Sequence, residues 1–262
     1  MSDSDLHYPD VFITALQAIW GEGFLSPGGP EEVAEILEGI DLTGREVLDI
    51  GCGVGGIDLL LVERHGASRV IAIDVEPQLI EHASRRVHAA GLSNVIDTRL
   101  VEPGPLPLDD ESVDAVFSKD AMLHIPDKDA LYADVLRVLR PGGLFAASDW
   151  LRGGADDEPP PDVLVRWGRT TGLDAAFATP SQTERALKAA GFRNASVRDR
   201  HAWYLAEIEK EGSQVTGPGF QQLEAAIGME AAVNRAESYA VRREAVEAGA
   251  LRPCHLYGTK PD

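Results

Sequence analysis

Glu46-Val-Leu-Asp-Ile-Gly-Cys-Gly-Val-Gly-Gly56 is the stretch that decides the fold. Five mostly apolar residues suit a short buried strand, glycines follow at 51, 53, 55 and 56, and an apolar helical pattern then runs to about Gly66. A strand that turns through glycines into a helix opens a βαβ unit, because glycine lets the backbone turn tightly and approach a ligand closely. Working outward, residues 69–74 form a second strand and 78–90 a second helix. Residues 113–118 form another strand, 128–139 another helix, and Arg140-Pro-Gly-Gly143 turns into a strand over 144–148. Strands alternating with helices imply an α/β fold with a mostly parallel sheet. Upstream, residues 11–20 suit a helix, 21–30 a loop, and Pro30-Glu-Glu32 a helix start whose buried stripe is Val33, Ile36, Leu37 and Ile40. Downstream, Gly- and Pro-rich residues 153–162 open an excursion that lasts to about 180. A helix over 181–190, a strand over 195–204, helices over 205–249 and a strand over 255–260 follow. The last two strands suit antiparallel pairing at the sheet edge.

Composition narrows the function classes. Of 262 residues 44% are apolar and 26% charged, which is ordinary globular usage. No apolar run approaches the ~18 residues of a spanning helix. The opening Met-Ser-Asp-Ser-Asp has no secretory character, so a cytoplasmic location is expected. Cys52 and Cys254 cannot make a disulfide framework, and no Cys/His spacing suggests a metal site. Twenty-four basic residues against 43 acidic give a net charge of −19. Phosphates and anionic lipid need clustered cations, so neither nucleic acid nor membrane is an expected partner.

The glycine spacing also satisfies GxGxxG at Gly51, Gly53 and Gly56, so a dinucleotide site competes with other readings. Asp49, two residues before the first glycine, separates them. A carboxylate there opposes a pyrophosphate but suits the α-ammonium of S-adenosylmethionine (SAM), which has no phosphate. Asp74 ends the second strand, where an acid can accept from ribose hydroxyls. Glu102 follows the probable third strand, where it can accept from an adenine amino group. A nicotinamide dehydrogenase remains the competing class on this evidence.

Val47-Leu-Asp-Ile-Gly-Cys-Gly-Val-Gly55, together with Leu139-Arg-Pro-Gly-Gly-Leu144, resembles the motifs of class I SAM-dependent methyltransferases over roughly residues 40–150. The resemblance implies a Rossmann-like seven-stranded, mostly parallel sheet with helices on both faces, an antiparallel last strand and a helical lid. It makes SAM the cofactor and S-adenosylhomocysteine the product. A single domain over 1–262 would divide into a lid (1–40), a cofactor core (41–150), a lid insertion (151–180) and the rest of the core (181–262).

Trp20-Gly-Glu-Gly-Phe-Leu-Ser-Pro-Gly-Gly29 and Phe117-Ser-Lys-Asp-Ala-Met-Leu-His-Ile125 are similar to motifs of the phosphoethanolamine N-methyltransferases. That likeness implies a catalytic pair, Tyr8 and His124, and a substrate carboxylate, Asp120. Implied cofactor contacts are Leu25, Ser26, Asp49, Gly51, Gly53, Asp74, Val75, Glu102, Pro103 and Lys119, the last replacing an arginine. His7, Trp20, Phe24 and Trp150 would face the substrate. The chemistry suits such a transfer. An ammonium has no lone pair, so the amine must lose a proton before attack, and a histidine titrating near neutrality can take it. Aromatic faces can rest against a cationic product.

The likeness fails at the phosphate end, where Trp150, Leu173 and Ala175 replace the family's Tyr and Arg, leaving Arg152, Arg166 and Arg169 as candidate anion ligands. The expected function is therefore methylation of a small amine, phosphoethanolamine- or ethanolamine-like or another. An O-, S- or C-methyltransferase and a non-catalytic SAM-binding protein are the alternatives. The oligomeric state does not follow from the sequence.

Overall fold

A computed structural model describes residues 8–171 and 175–262. Its centre is β1 (Glu46–Ile50), flanked in parallel by β2 (Arg69–Asp74) and β4 (Val113–Lys119). β3 (Ile96–Leu100) extends the sheet beyond β2, and β5 (Leu139–Arg152) beyond β4. The complete order is β3-β2-β1-β4-β5-β7-β6, seven strands. β7 (Leu251–Thr259) is antiparallel to both β5 and β6 (Arg193–Asp199), so it alone is reversed.

The last two strands pair antiparallel with each other, as expected, and the last strand is the reversed one. The crossover through α7 (Pro180–Ala190) carries the chain from β5 to a parallel β6 and leaves a gap one strand wide, which β7 fills in the opposite sense. A correction concerns residues 195–204. The strand ends at Asp199, and α8 (His201–Val215) starts two residues later. Tyr204, Ile208, Glu211 and Val215 recur at helical spacing and are buried, so the apolar residues after His201 follow a 3.6-residue period.

Alternation along the strands sorts two cores. Leu48 and Ile50 of β1 face a layer that includes α5 (Lys128–Val138) and α7, through Tyr132, Val135 and Leu187. Val47 faces the opposite layer of α2 (Gly29–Ile36), α3 (Gly56–Glu63) and α4 (Pro77–Ala89), through Val33, Leu61 and Val87. A third cluster caps the sheet's end. There α1 (Asp10–Trp20), α6 (Asp162–Thr171), α8, α9 (Phe220–Ile227) and α10 (Met229–Glu247) surround Trp150, Trp167 and Tyr204.

Inside this cap lies an ion pair, Arg242 Nη2 donating to Glu211 Oε2. Tyr204 Oη donates to the other Glu211 oxygen at 3.2 Å, and the Arg242 guanidinium sits 5.1 Å from the Trp20 ring centroid. Removing one partner strands a buried charge, which costs about 3–5 kcal/mol, whereas replacing both by apolar groups is far milder. We therefore expect Arg242→Ala to lose that much in urea unfolding, and Arg242→Met with Glu211→Leu to lose much less. Equal losses would contradict the assignment.

Candidate functional site

A cavity of about 1010 Å³ opens at the carboxyl ends of β1, β2 and β4, where open α/β sheets bind ligands. The loop after β1 forms its floor. Gly51 has φ +76°, and a Cβ there would sit 2.2 Å from the Cβ of Ala121, so glycine is required twice over. Gly51 and Gly53 line the cavity with Asp74 and Val75 from β2 and the loop after it, and with Glu102 and Pro103 after β3. Asp74 accepts from Gly53 N at 3.0 Å and Glu76 N at 3.1 Å, which fixes its carboxyl. Burial nevertheless raises it to about 6.

Asp49 lies beneath this floor, on the Val47 face of β1. It is 1% exposed, and Asp58, in the first turn of α3, is 0% exposed. None of their four carboxylate oxygens has a hydrogen-bond donor. Two carboxylates in this position cannot both ionise, so they share a proton. Burial, then the mutual repulsion, holds Asp49 well above the carboxylate range, and burial lifts Asp58 to about 7. Burial likewise raises the Cys52 thiol, so Cys52 fills space in the loop and is no nucleophile.

Tyr8 and His124, the expected catalytic pair, also belong to the cavity wall. Tyr8 Oη and His124 Nε2 are 3.3 Å apart. Burial, with Asp74 and Glu76 nearby, raises the Tyr8 phenol far above its ordinary value, so it stays protonated and can donate to the imidazole. His124 ends a 3-10 turn, Met122–His124, that is pinned from beneath. Asp149 Oδ1 accepts from Leu123 N at 2.9 Å, Lys128 Nζ donates to Met122 O, and Leu123 O accepts from Ala176 N at 2.8 Å.

Asp120 has φ +57°, an uncommon conformation for a residue with a side chain. Ser148 Oγ donates to its Oδ1 at 2.8 Å and Lys119 Nζ to its Oδ2 at 2.7 Å. Lys119 also donates to Ser26 Oγ at 2.6 Å and Pro27 O at 2.9 Å. Its three donors are thereby committed, so Lys119 straps the loop bearing Leu25 and Ser26 over the cavity.

Trp20, Phe24 and Trp150, expected to face the substrate, do not line the cavity. Phe24 is buried against the α2–α3–α4 layer, with Trp20 beside it. Trp150 sits edge-on to Tyr204, centroids 4.9 Å apart, inside the cap. His7 and Leu173 lie outside the described residues. The candidate anion ligands are also elsewhere. Arg152 is buried, with its donors on the carbonyls of Gly153, Ala155, Asp156 and Glu158, Arg166 pairs with Glu244, and Arg169 is exposed.

Sequence reasoning missed Asp58 and Asp149. An acid inside the apolar strand Leu144–Arg152 was a visible signal for Asp149, whereas Asp58 reads as an ordinary first-turn helix acid. Among the described residues no His, Cys, Asp and Glu group is arranged to hold a metal ion, and no helix is long and apolar enough to cross a membrane.

Residues 48–147 match the family model described as a methyltransferase domain. Phosphoethanolamine N-methyltransferase 1 of Arabidopsis thaliana is 30% identical over 212 residues, which make up 80% of this chain and 42% of that protein. The chain thus spans about two fifths of this relative's length. A solved structure of Haemonchus contortus phosphoethanolamine N-methyltransferase 2, with phosphomonomethylethanolamine and S-adenosylhomocysteine, superposes with TM-score 0.89 at 22% identity. It covers 99% of this chain and 59% of that one. Geranyl diphosphate C-methyltransferase of Streptomyces coelicolor A3(2) gives TM-score 0.72 at 14% identity, covering 87% and 78%, so the fold serves more than one acceptor chemistry.

The carboxyl pair makes a pH prediction. Asp58 has its folded value raised above its ordinary 3.8 to about 7, so its protonated form's stabilising share is intact below pH 4 and lost as pH rises to about 7. Asp58→Asn removes the repulsion and supplies an amide donor. Its thermal midpoint should match wild type near pH 4 and exceed it increasingly toward pH 8. Parallel curves would contradict the shared proton.

Proposed function

We propose that this chain, which carries a class I SAM-dependent methyltransferase domain, methylates the nitrogen of a small amine that bears no phosphate. The observation that supports this most is the composition of the cavity wall. It joins a phenol–imidazole pair and a buried carboxylate with no uncommitted Lys or Arg. The two cations on the wall are Lys119, spent on Ser26, Pro27 and Asp120, and Arg137, spent on Asp110, Asp134 and two carbonyls. The undescribed segments contain neither Lys nor Arg.

The floor fits SAM better than a dinucleotide. Acids stand at or near the ends of β1, β2 and β3, and a diphosphate would meet Asp74, with Asp49 buried beneath the floor, and no free cation to offset them. The Asp49–Asp58 pair, whose oxygens lack donors, would release its shared proton to solvent as an arriving ammonium donates to it. Asp74 would offer its remaining lone pairs to the vicinal hydroxyls of SAM, and Glu102 and Pro103 would hold its base. When bound, SAM supplies a methyl group on a cationic sulfur.

The chain's own residues do the rest. Asp120 holds the acceptor's ammonium group at the wall, near the reactive pair. His124 takes one proton from that ammonium, directly or across the Tyr8 hydroxyl, which passes its own proton to Nε2 as it receives the acceptor's. The 3.3 Å separation suits a contact that tightens when ligand is present. Tyr8 also closes the site above the acceptor, and alignment of nitrogen with the methyl group supplies much of the acceleration.

Mass-resolved methyl transfer tests this. Ethanolamine-like amines should react with kcat/KM at least roughly tenfold above phosphoethanolamine, a difference of about 1.4 kcal/mol. Preference for the phosphorylated amine would overturn the phosphate-free reading, and methylation of carbon or oxygen alone would overturn the amine. His124→Ala should lower kcat roughly 10²–10⁴-fold with S-adenosylhomocysteine affinity retained. Full turnover would remove its role as base. Asp120→Asn should raise the acceptor's KM more than the dissociation constant of S-adenosylhomocysteine, and equal losses would refute the clamp.

A further inference from the structure

Tyr8 precedes α1, at the edge of the described chain, yet its hydroxyl meets His124 more than a hundred residues away. Something must seat it there, because a terminal segment without anchors is poorly ordered. The contacts come from one face of α4. Gln78, His82 and Arg86 stand at i, i+4 and i+8, a spacing that aligns side chains along one helix face. Gln78 Nε2 donates to Tyr8 O at 2.9 Å. His82 Nε2 is 3.1 Å from Asp10 Oδ1. Arg86 donates from Nη2 to Gln17 Oε1 at 2.9 Å, from Nη1 to Glu22 Oε1 at 3.1 Å and from Nε to Val54 O at 2.9 Å.

Magnitudes separate the three. Asp10 is largely exposed, so its contact with His82 contributes little. Arg86 is the opposite case. One guanidinium reaches α1, the loop after it and the glycine loop, and Gln17 Oε1 also accepts from Gly23 N at 2.9 Å. There the loop lies backbone against backbone on the glycine loop. A Cβ on Gly56 would fall 2.2 Å from Gly23 O. Leu79, beside Gln78 on α4, is buried with Ile13 and Val54, and Tyr8 packs against that cluster.

We infer that Arg86 and Gln78 are positioning residues, a track on α4 that clamps the N-terminal helix to the glycine loop and so places the Tyr8 hydroxyl on His124. The catalytic meaning rests on the Tyr8–His124 pair proposed above, but the clamp itself can be read without any reaction.

The test uses the full chain. In Arg86→Ala, amide hydrogen exchange across residues 10–20 should quicken roughly tenfold or more while β1 and β4 keep their protection. The His124 ring, followed by NMR, should titrate as it does in Tyr8→Phe, and adding Arg86→Ala to Tyr8→Phe should move it no further. S-adenosylhomocysteine, the probe for the closed site, should leave Arg86→Ala faster than wild type. Gln78→Ala should give the same pattern, weaker, and serves if Arg86→Ala does not fold. Unchanged exchange over 10–20, or a His124 titration unlike that of Tyr8→Phe, overturns the inference. Failure of wild type to bind S-adenosylhomocysteine would instead overturn the proposed function, with exchange and titration still deciding the clamp.

Discussion

A carboxyl group buried at the end of the central strand, with no donor to satisfy it, is the constraint on which this structure turns. Asp49 cannot be solvated, and its neighbour Asp58 is another acid. A buried polar group without a partner is costly, and such sites persist where a ligand or a proton completes them. The glycines that follow it, Gly51 and Gly53, line the cavity, while Asp49 itself lies beneath the floor. Gly51 could not carry even a methyl group against Ala121. In the proposed reading, charge and shape favour the same occupant: a cation-bearing nucleoside without phosphates.

The reacting wall is built on the same economy. Asp149 and Lys128 spend a buried charge pair on one 3-10 turn, and that turn presents His124. Lys119 spends all three donors on a loop and on Asp120, which leaves the carboxylate oriented and the loop shut. Rigid strands and short turns thus hold His124 and Asp120, while the Tyr8 hydroxyl arrives on the segment before α1.

Much of this was legible in the sequence, for physical reasons. Glycines between an apolar strand and a helix admit few folds, and Asp49, Asp74 and Glu102 sit at fixed offsets from strand ends. Gly51, Gly53, Asp74, Val75, Glu102, Pro103, Leu25, Ser26, Lys119, Asp120, Tyr8 and His124 all line one cavity. The aromatic residues were not legible. Trp20, Phe24 and Trp150 resemble cation-binding faces in a linear reading, but folding packs Trp20 and Phe24 with the α2–α3–α4 layer and Trp150 inside the helical cap. Residues 201–204 were misread because a short apolar run looks the same at period 2 as at the start of a helix. Asp58, Gln78 and Arg86 carried no motif, since their meaning comes from elements brought together only by folding.

Isothermal calorimetry with SAM and with NADH, on wild type and on Asp49→Asn, tests the central claim most directly. The account predicts that SAM binds, that NADH does not, and that Asp49→Asn weakens SAM roughly tenfold or more, the worth of one charge-assisted contact. Binding of NADH without SAM, or SAM binding indifferent to Asp49→Asn, would contradict it.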